Sequence, residues 1–160
     1  MKAVNNNGVI TFYQSVPNSF RSSTGLHYNV QNWSEQDMKD NGLFDVIIED
    51  GFDSRIHDLG EIYWDSEATV FRKDKINKTW SQSLTDLKEQ QINNFKSLIG
   101  SKLAKTDWYI IRNADSGAEV PSEITDARAA LRTQSDTVEN EINAKTTKAA
   151  VMSYDFPNID

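Results

Sequence analysis

The sequence predicts an α+β chain: a small β-rich N-terminal part, then a long connecting helix and a C-terminal helical module. Three observations predict this. Short β-branched and aromatic runs separated by turn residues fill the first eighty positions. An apolar pattern from Leu84 to Leu103 then runs without proline, and without glycine before Gly100. Beyond it, cap-like residues recur ahead of further helical patterns. The boundaries follow as 1–82 for the β-rich part, 83–105 for the connecting helix, 106–153 for the helical module and 154–160 for an extended tail.

Val9 to Val16 contains Val-Ile-Thr-Phe-Tyr and reads as a strand, which Pro17 and Asn18 end. Residues 18–25 are polar and finish in glycine, so they read as a loop. Ser34 to Asn41 reads as a short helix. Ser34 serves as its N-cap, Glu35 and Asp37 lie in the first turn, and Gly42 stands at the C-terminal glycine position. Phe44 to Ile48 is a strand. Asp50-Gly51 is a turn, and Asp53 to Gly60 continues as irregular loop. Glu61–Trp64 and Ala68–Arg72 form a hairpin, and Ile76–Ser81 offers a further strand. Four or five strands and one short helix result.

Leu84, Leu87, Gln91, Phe95 and Leu98 follow roughly heptad spacing, with Ile92 and Ile99 flanking them. A helix of about twenty residues spans roughly 30 Å. Its narrow stripe suits one partner helix, in the same chain or in another copy, so self-association through the 84–103 helix is an expectation. Thr106 or Asp107 caps a short helix carrying Trp108, Ile111 and Arg112, and Gly117 marks its end. Pro121 or Ser122 starts the next helix, to about Thr133. Asp136-Thr137-Val138-Glu139 reads as a capping box for another helix to about Lys145, and Thr146 to Met152 adds a last turn or two. The tail, Tyr154 to Asp160, is acidic and aromatic.

Composition narrows the function classes. The chain has 160 residues, of which 38% are hydrophobic, low for one compact core. Its four Trp, five Tyr and seven Phe compensate in part. The expectation is a modest core with elongated helices, open to completion by a partner chain. A net charge of −7 argues against binding a nucleic-acid backbone or an anionic membrane surface. The absence of cysteine removes disulfides, thiolate nucleophiles and zinc-thiolate sites. No apolar run reaches the roughly 18 residues that span a bilayer. Met1 to Asn7 lacks a hydrophobic signal region, so use in the cytosol, or exit by a non-secretory route, is expected.

Catalytic chemistry finds little support. His27 and His57 lie in loop-rich surroundings, and nothing near Ser22, Ser23 or Ser54 forms a nucleophile elbow. Asp50, Asp53 and Asp58, with His57 beside them, lack the alternating ligands and closing glutamate of a calcium loop. The seven glycines are scattered singly, which gives no phosphate cradle. Glu61, Asp65 and Glu67 show no second group that would make a glycosidase pair. No enzyme activity, cofactor or metal is expected.

Interaction is the remaining signal. Trp108, Tyr109 and Arg112 fall within about a turn and a half of one helix, and these residue types dominate binding hot spots. Arg128 and Arg132, four apart with Leu131 between them, present two forks suited to carboxylates. Two readings stand side by side. In one, Trp108 packs on Leu131, and the arginines pair with Asp107, Asp126 or Glu123. In the other, these six residues also bind a partner.

Several of these residues resemble a family. Leu87-Lys88-Glu89-Gln90-Gln91-Ile92, followed by Thr106-Asp107-Trp108-Tyr109-Ile110-Ile111-Arg112, is similar to small bacteriophage tail fibre assembly and tail assembly chaperone proteins. So is Val120-Pro121-Ser122-Glu123-Ile124 leading into Ala127-Arg128-Ala129-Ala130-Leu131-Arg132. Such proteins pair a variable β-rich part with a connecting helix, a Trp-bearing segment, an Arg-x-x-Leu-Arg helix and an aromatic-Pro tail, here Phe156-Pro157. The likeness covers about Leu84 to Asp160. It departs at Ala127, where the family often has tyrosine. It implies a non-enzymatic protein that binds a phage tail fibre, or another tail protein, during folding or assembly in the host cytoplasm. Its alternative is a structural component of the virion tail, attached to fibre or baseplate.

Overall fold

A computed structural model of the chain describes residues 1–159. It is mixed α+β, with strands early and helices later, in two compact units: Met1–Lys78, and Thr79 onward.

In the first unit, β1 (Lys2–Asn6) and β2 (Val9–Tyr13) form a hairpin over Asn7 and Gly8. Both turn residues have positive φ, 55° and 91°. That is the mirror-image turn whose twist matches paired strands, and Asn and Gly adopt it most readily. The sheet continues through β5 (Leu43–Ile48), β7 (Val70–Asn77) and β6 (His57–Asp65), in the order β2-β1-β5-β7-β6. All pairs are antiparallel except β5–β7. The sheet curls enough for Lys73 of β7 to sit 5.2 Å from the ring centre of Phe12 on β2.

Both faces of β1 are buried. Ala3 joins Val46 and Phe71 on one side, with Phe12, Phe44 and Ile62 around them. Val4 joins Phe20, Val30, Met38 and Leu43 on the other. The second face is covered by a small hairpin, β3 (Ser19–Ser22) with β4 (Gly25–Tyr28), and by α1 (Glu35–Asp40). Ser34 and Asp37 form a reciprocal capping box on α1. Lys2 is buried between Glu35, which it contacts, and Asp45 at 3.0 Å. Burial disfavours its ammonium, yet hydrogen bonds to both carboxylates outweigh that and raise its proton affinity.

Several strand expectations are corrected. The first unit has seven strands, not four or five. β1 went unforeseen because Lys2 and Asn5-Asn6 mask its alternation. The expected 18–25 loop contains β3 and the turn into β4: Phe20 and Ser22 point inward in an otherwise polar run, so packing rather than composition decides it. The expected loop before Gly60 already belongs to β6 from His57 onward. No strand spans Ile76–Ser81; Ile76 and Asn77 are the last residues of β7, and the chain then leaves the sheet.

The second unit is helical. α2 (Leu84–Ala104) packs against α4 (Ser122–Asn143) and α5 (Lys148–Met152), with α3 (Asp107–Ser116) following α2. Ser83 and Asp86 close a second capping box. Leu87, Ile92, Phe95, Ile99, Val138, Ile142 and Val151 form the core. The predicted seam is therefore rotated. Ile92 and Ile99 face inward, while Leu98 is 51% exposed. Leu84, Leu87 and Phe95 of the stripe proposed for self-association pack inside the unit. α4 is one helix rather than two, because no glycine or proline interrupts 122–143 and Leu131, Val138 and Ile142 continue one face. The tail is extended but not free. Phe156 stacks on Phe95 at 5.1 Å, and Tyr154 and Ile159 pack on the same cluster.

Candidate interaction surface

α3 is the unusual element of the second unit. None of its ten residues is buried. Gly117, at φ 71°, ends it in the left-handed conformation that glycine tolerates best. The Thr106 hydroxyl donates back to the Leu103 carbonyl at 3.0 Å, so it does not cap α3. Asp107 supplies negative charge in the first turn instead.

At 100° per residue, Trp108, Ile110, Ile111 and Ala114 share one side of α3 with Asp107 and Asp115, and Tyr109, Asn113 and Ser116 fall on the other. Nearly the whole helix is exposed, with only Asp107 and Tyr109 half-buried, and the exposed residues include Trp108 at 49%, Ile110 at 43% and Ile111 at 66%. Arg112 lies 5.1 Å from the Trp108 ring and 5.9 Å from the Tyr109 ring, adding cation–π contacts to that surface.

The six predicted binding residues divide. Trp108, Tyr109 and Arg112 sit together on α3. Arg128 faces inward on α4 at 8% exposure, bonded to the Leu103 carbonyl, the Thr106 hydroxyl and the Asp107 carboxylate. Its fork is occupied within the unit, by one of the three acids named as its partners from sequence. Leu131 packs against the core, and Arg132 is exposed on α4. Ile110 was missed as a surface residue, and no sequence signal marks it as exposed.

The histidines have structural partners. His27 Nε2 lies 2.9 Å from the buried Ser22 hydroxyl and 3.3 Å from that of Thr24, and its ring stacks on Phe20 at 4.8 Å. This serine–histidine contact was not foreseen; it ties the two strands of the β3–β4 hairpin. His57 Nδ1 accepts from the Asp53 backbone N–H at 3.0 Å. Hydrogen bonds from the side chain and backbone of Arg55 hold the Asp53 carboxyl at about 2. Asp65 accepts from Arg72 at 2.5 Å and from the N–H groups of Glu67 and Ala68, so it organises the β6–β7 turn. Among the described residues, no group of three His, Asp or Glu is placed to hold a metal, and no helix is long and apolar enough to cross a membrane.

Comparison with protein-family models, curated proteins and solved structures finds no match.

Proposed function

We propose that this chain is a non-enzymatic bacteriophage tail protein that binds the tail fibre and assists its folding, assembly or attachment in the host cell. The observation that carries the reading is the group of exposed apolar side chains on α3, Trp108, Ile110 and Ile111 at 49%, 43% and 66% exposure. Exposed apolar side chains gathered on one short helix, with an aromatic and an arginine among them, suit contact with another protein. The resemblance of the Trp108–Arg132 stretch to tail fibre assembly proteins supplies the identity of the partner. A fibre chain buries long apolar surfaces late in its assembly, and a helper with exposed aromatics covers them meanwhile.

Co-expression with the adjacent fibre protein, followed by pull-down, tests this. The wild-type chain should be captured, and Ile111→Asp, which leaves the core untouched, should lose capture at least about tenfold. Equal capture of Ile111→Asp would remove α3 from the site. No capture of wild type would reject the reading. Stoichiometric presence in purified virions would replace the transient role with a structural one.

A further inference from the structure

We infer that the free edge of β2 pairs with β2 of a second copy, antiparallel and centred on Thr11. β2 closes one side of the five-stranded sheet, and β6 closes the other. The two edges differ. β6 carries Asp58, Glu61 and Asp65 and shifts register between Leu59 and Ile62; charges and irregularities of this kind discourage edge pairing. β2 reads Val-Ile-Thr-Phe-Tyr, with no charge, no proline and no register break against β1. Among the described residues, no strand or backbone group pairs with its outer side.

The geometry of that edge points to a second copy rather than an arbitrary strand. The two-residue Asn7-Gly8 turn makes Asn6 and Val9 the closing hydrogen-bonded pair of the hairpin. By alternation, Thr11 and Tyr13 also bond inward to β1, and Ile10 and Phe12 turn their N–H and C=O groups outward. A two-fold axis through Thr11 places Ile10 opposite the other copy's Phe12, so four outward-facing main-chain hydrogen bonds close. Val9 meets Tyr13, and Thr11 meets Thr11. Aromatic against β-branched and Thr against Thr are the favourable cross-strand pairs, and no like charges oppose each other. One short strand therefore complements itself at every position. Five residues of ladder make a small interface, so pairing is expected at roughly 10–100 µM rather than nanomolar concentration.

The chain contains no cysteine, which allows a direct register test. Thr11 would lie in a non-hydrogen-bonded pair with its own copy, where Cα atoms approach to about 4.5 Å, within disulfide reach. Under mild oxidation, Thr11→Cys should cross-link to a covalent dimer. Val9→Cys alone should not, whereas a mixture of Val9→Cys with Tyr13→Cys should. In sedimentation velocity, wild type should shift from monomer to dimer with concentration, and Thr11→Lys should weaken this by about tenfold or more. Circular dichroism confirms that Thr11→Lys folds; if it does not, the cross-linking pattern decides alone. A wild-type monomer up to about 1 mM, far above the affinity of even weak encounters, would overturn the pairing. So would a dimer insensitive to Thr11→Lys, or Val9→Cys linking as readily as Thr11→Cys. Pairing of β2 with the fibre instead, seen as Thr11→Cys linking only to that chain, would also overturn it. Capture through α3 is read separately, so either result leaves the other standing.

Discussion

Arg128 of α4 donates to the carbonyl of Leu103, in the last turn of α2, at 2.8 Å. A matching contact closes the other end of the antiparallel pair, where Lys88 of α2 donates to the carbonyl of Asn143 at 2.7 Å. Each helix thus ends on a cation from the other, which adds a charged donor to a last-turn carbonyl and complements the negative end of the helix dipole.

Arg128 also bonds Thr106 and pairs with Asp107 at 2.9 Å, so one side chain orients the α2–α3 corner. Arg128→Ala removes the donor shared by the Leu103 carbonyl, the Thr106 hydroxyl and the Asp107 carboxylate and should cost about 2–4 kcal/mol in urea unfolding. Arg128→Lys should fall between, because an ammonium cannot reproduce the fork. Loss of fibre capture by Arg128→Ala with unchanged stability would instead assign it to the partner surface.

The rotated seam of α2 gives a paired prediction. Ile99 is 4% exposed and Leu98 51%. Ile99→Ala should cost about 2–4 kcal/mol, while Leu98→Lys should stay within about 1 kcal/mol. Equal costs in thermal unfolding would restore the heptad reading.

What the sequence made legible follows the strength of its local signals. α2 and α1 carry reciprocal capping boxes at Ser83–Asp86 and Ser34–Asp37, and both helices run where apolar spacing and cap residues place them. The seam slipped because a fixed heptad repeat drifts about 20° per heptad off a straight helix face, which carries Leu98 toward the rim, while Ile99 lies angularly between Phe95 and Ile92. Asp136 resembled a helix start, yet capping chemistry loses to a face that Val138 and Ile142 keep buried. β3 and β4 were invisible because their order comes from Phe20, His27 and Trp33 packing together across the hairpin and α1's entry. The aromatic-arginine cluster on α3 was legible. That nearly the whole helix stays exposed was not, because sequence gives a stripe but not how much of it is covered.

The tail also reads differently once folded. Phe156 stacks nearly parallel to Phe95, at 17°, and Gln134 donates to the Asn158 carbonyl at 2.9 Å. Tyr154, Phe156 and Ile159 are therefore half-buried against the core, while Asp155, Pro157 and Asn158 stay exposed. Phe156→Ala should destabilise the second unit by about 2–3 kcal/mol, and removal of the chain after Ser153 should cost more. An unchanged unfolding midpoint in either variant would mean that the tail merely rests on the helices.

Tyr154 makes this packing sensitive to alkaline pH. Its hydroxyl donates to Glu141 Oε2 at 2.5 Å. Burial first, and then the hydrogen bond and charge of Glu141, push its proton loss from 10.0 up to about 12. The folded state therefore holds this proton where the unfolded chain has released it. The resulting stabilisation is fully present below pH 10 and is lost as pH rises from about 10 to about 12. Tyr154→Phe removes both the hydrogen bond and the titration. Urea unfolding at pH 8, 10 and 11.5 should show the gap between wild type and Tyr154→Phe narrowing with pH, because wild type alone carries this alkaline decline. Parallel pH profiles for the two proteins would show that the contact with Glu141 does not hold the proton.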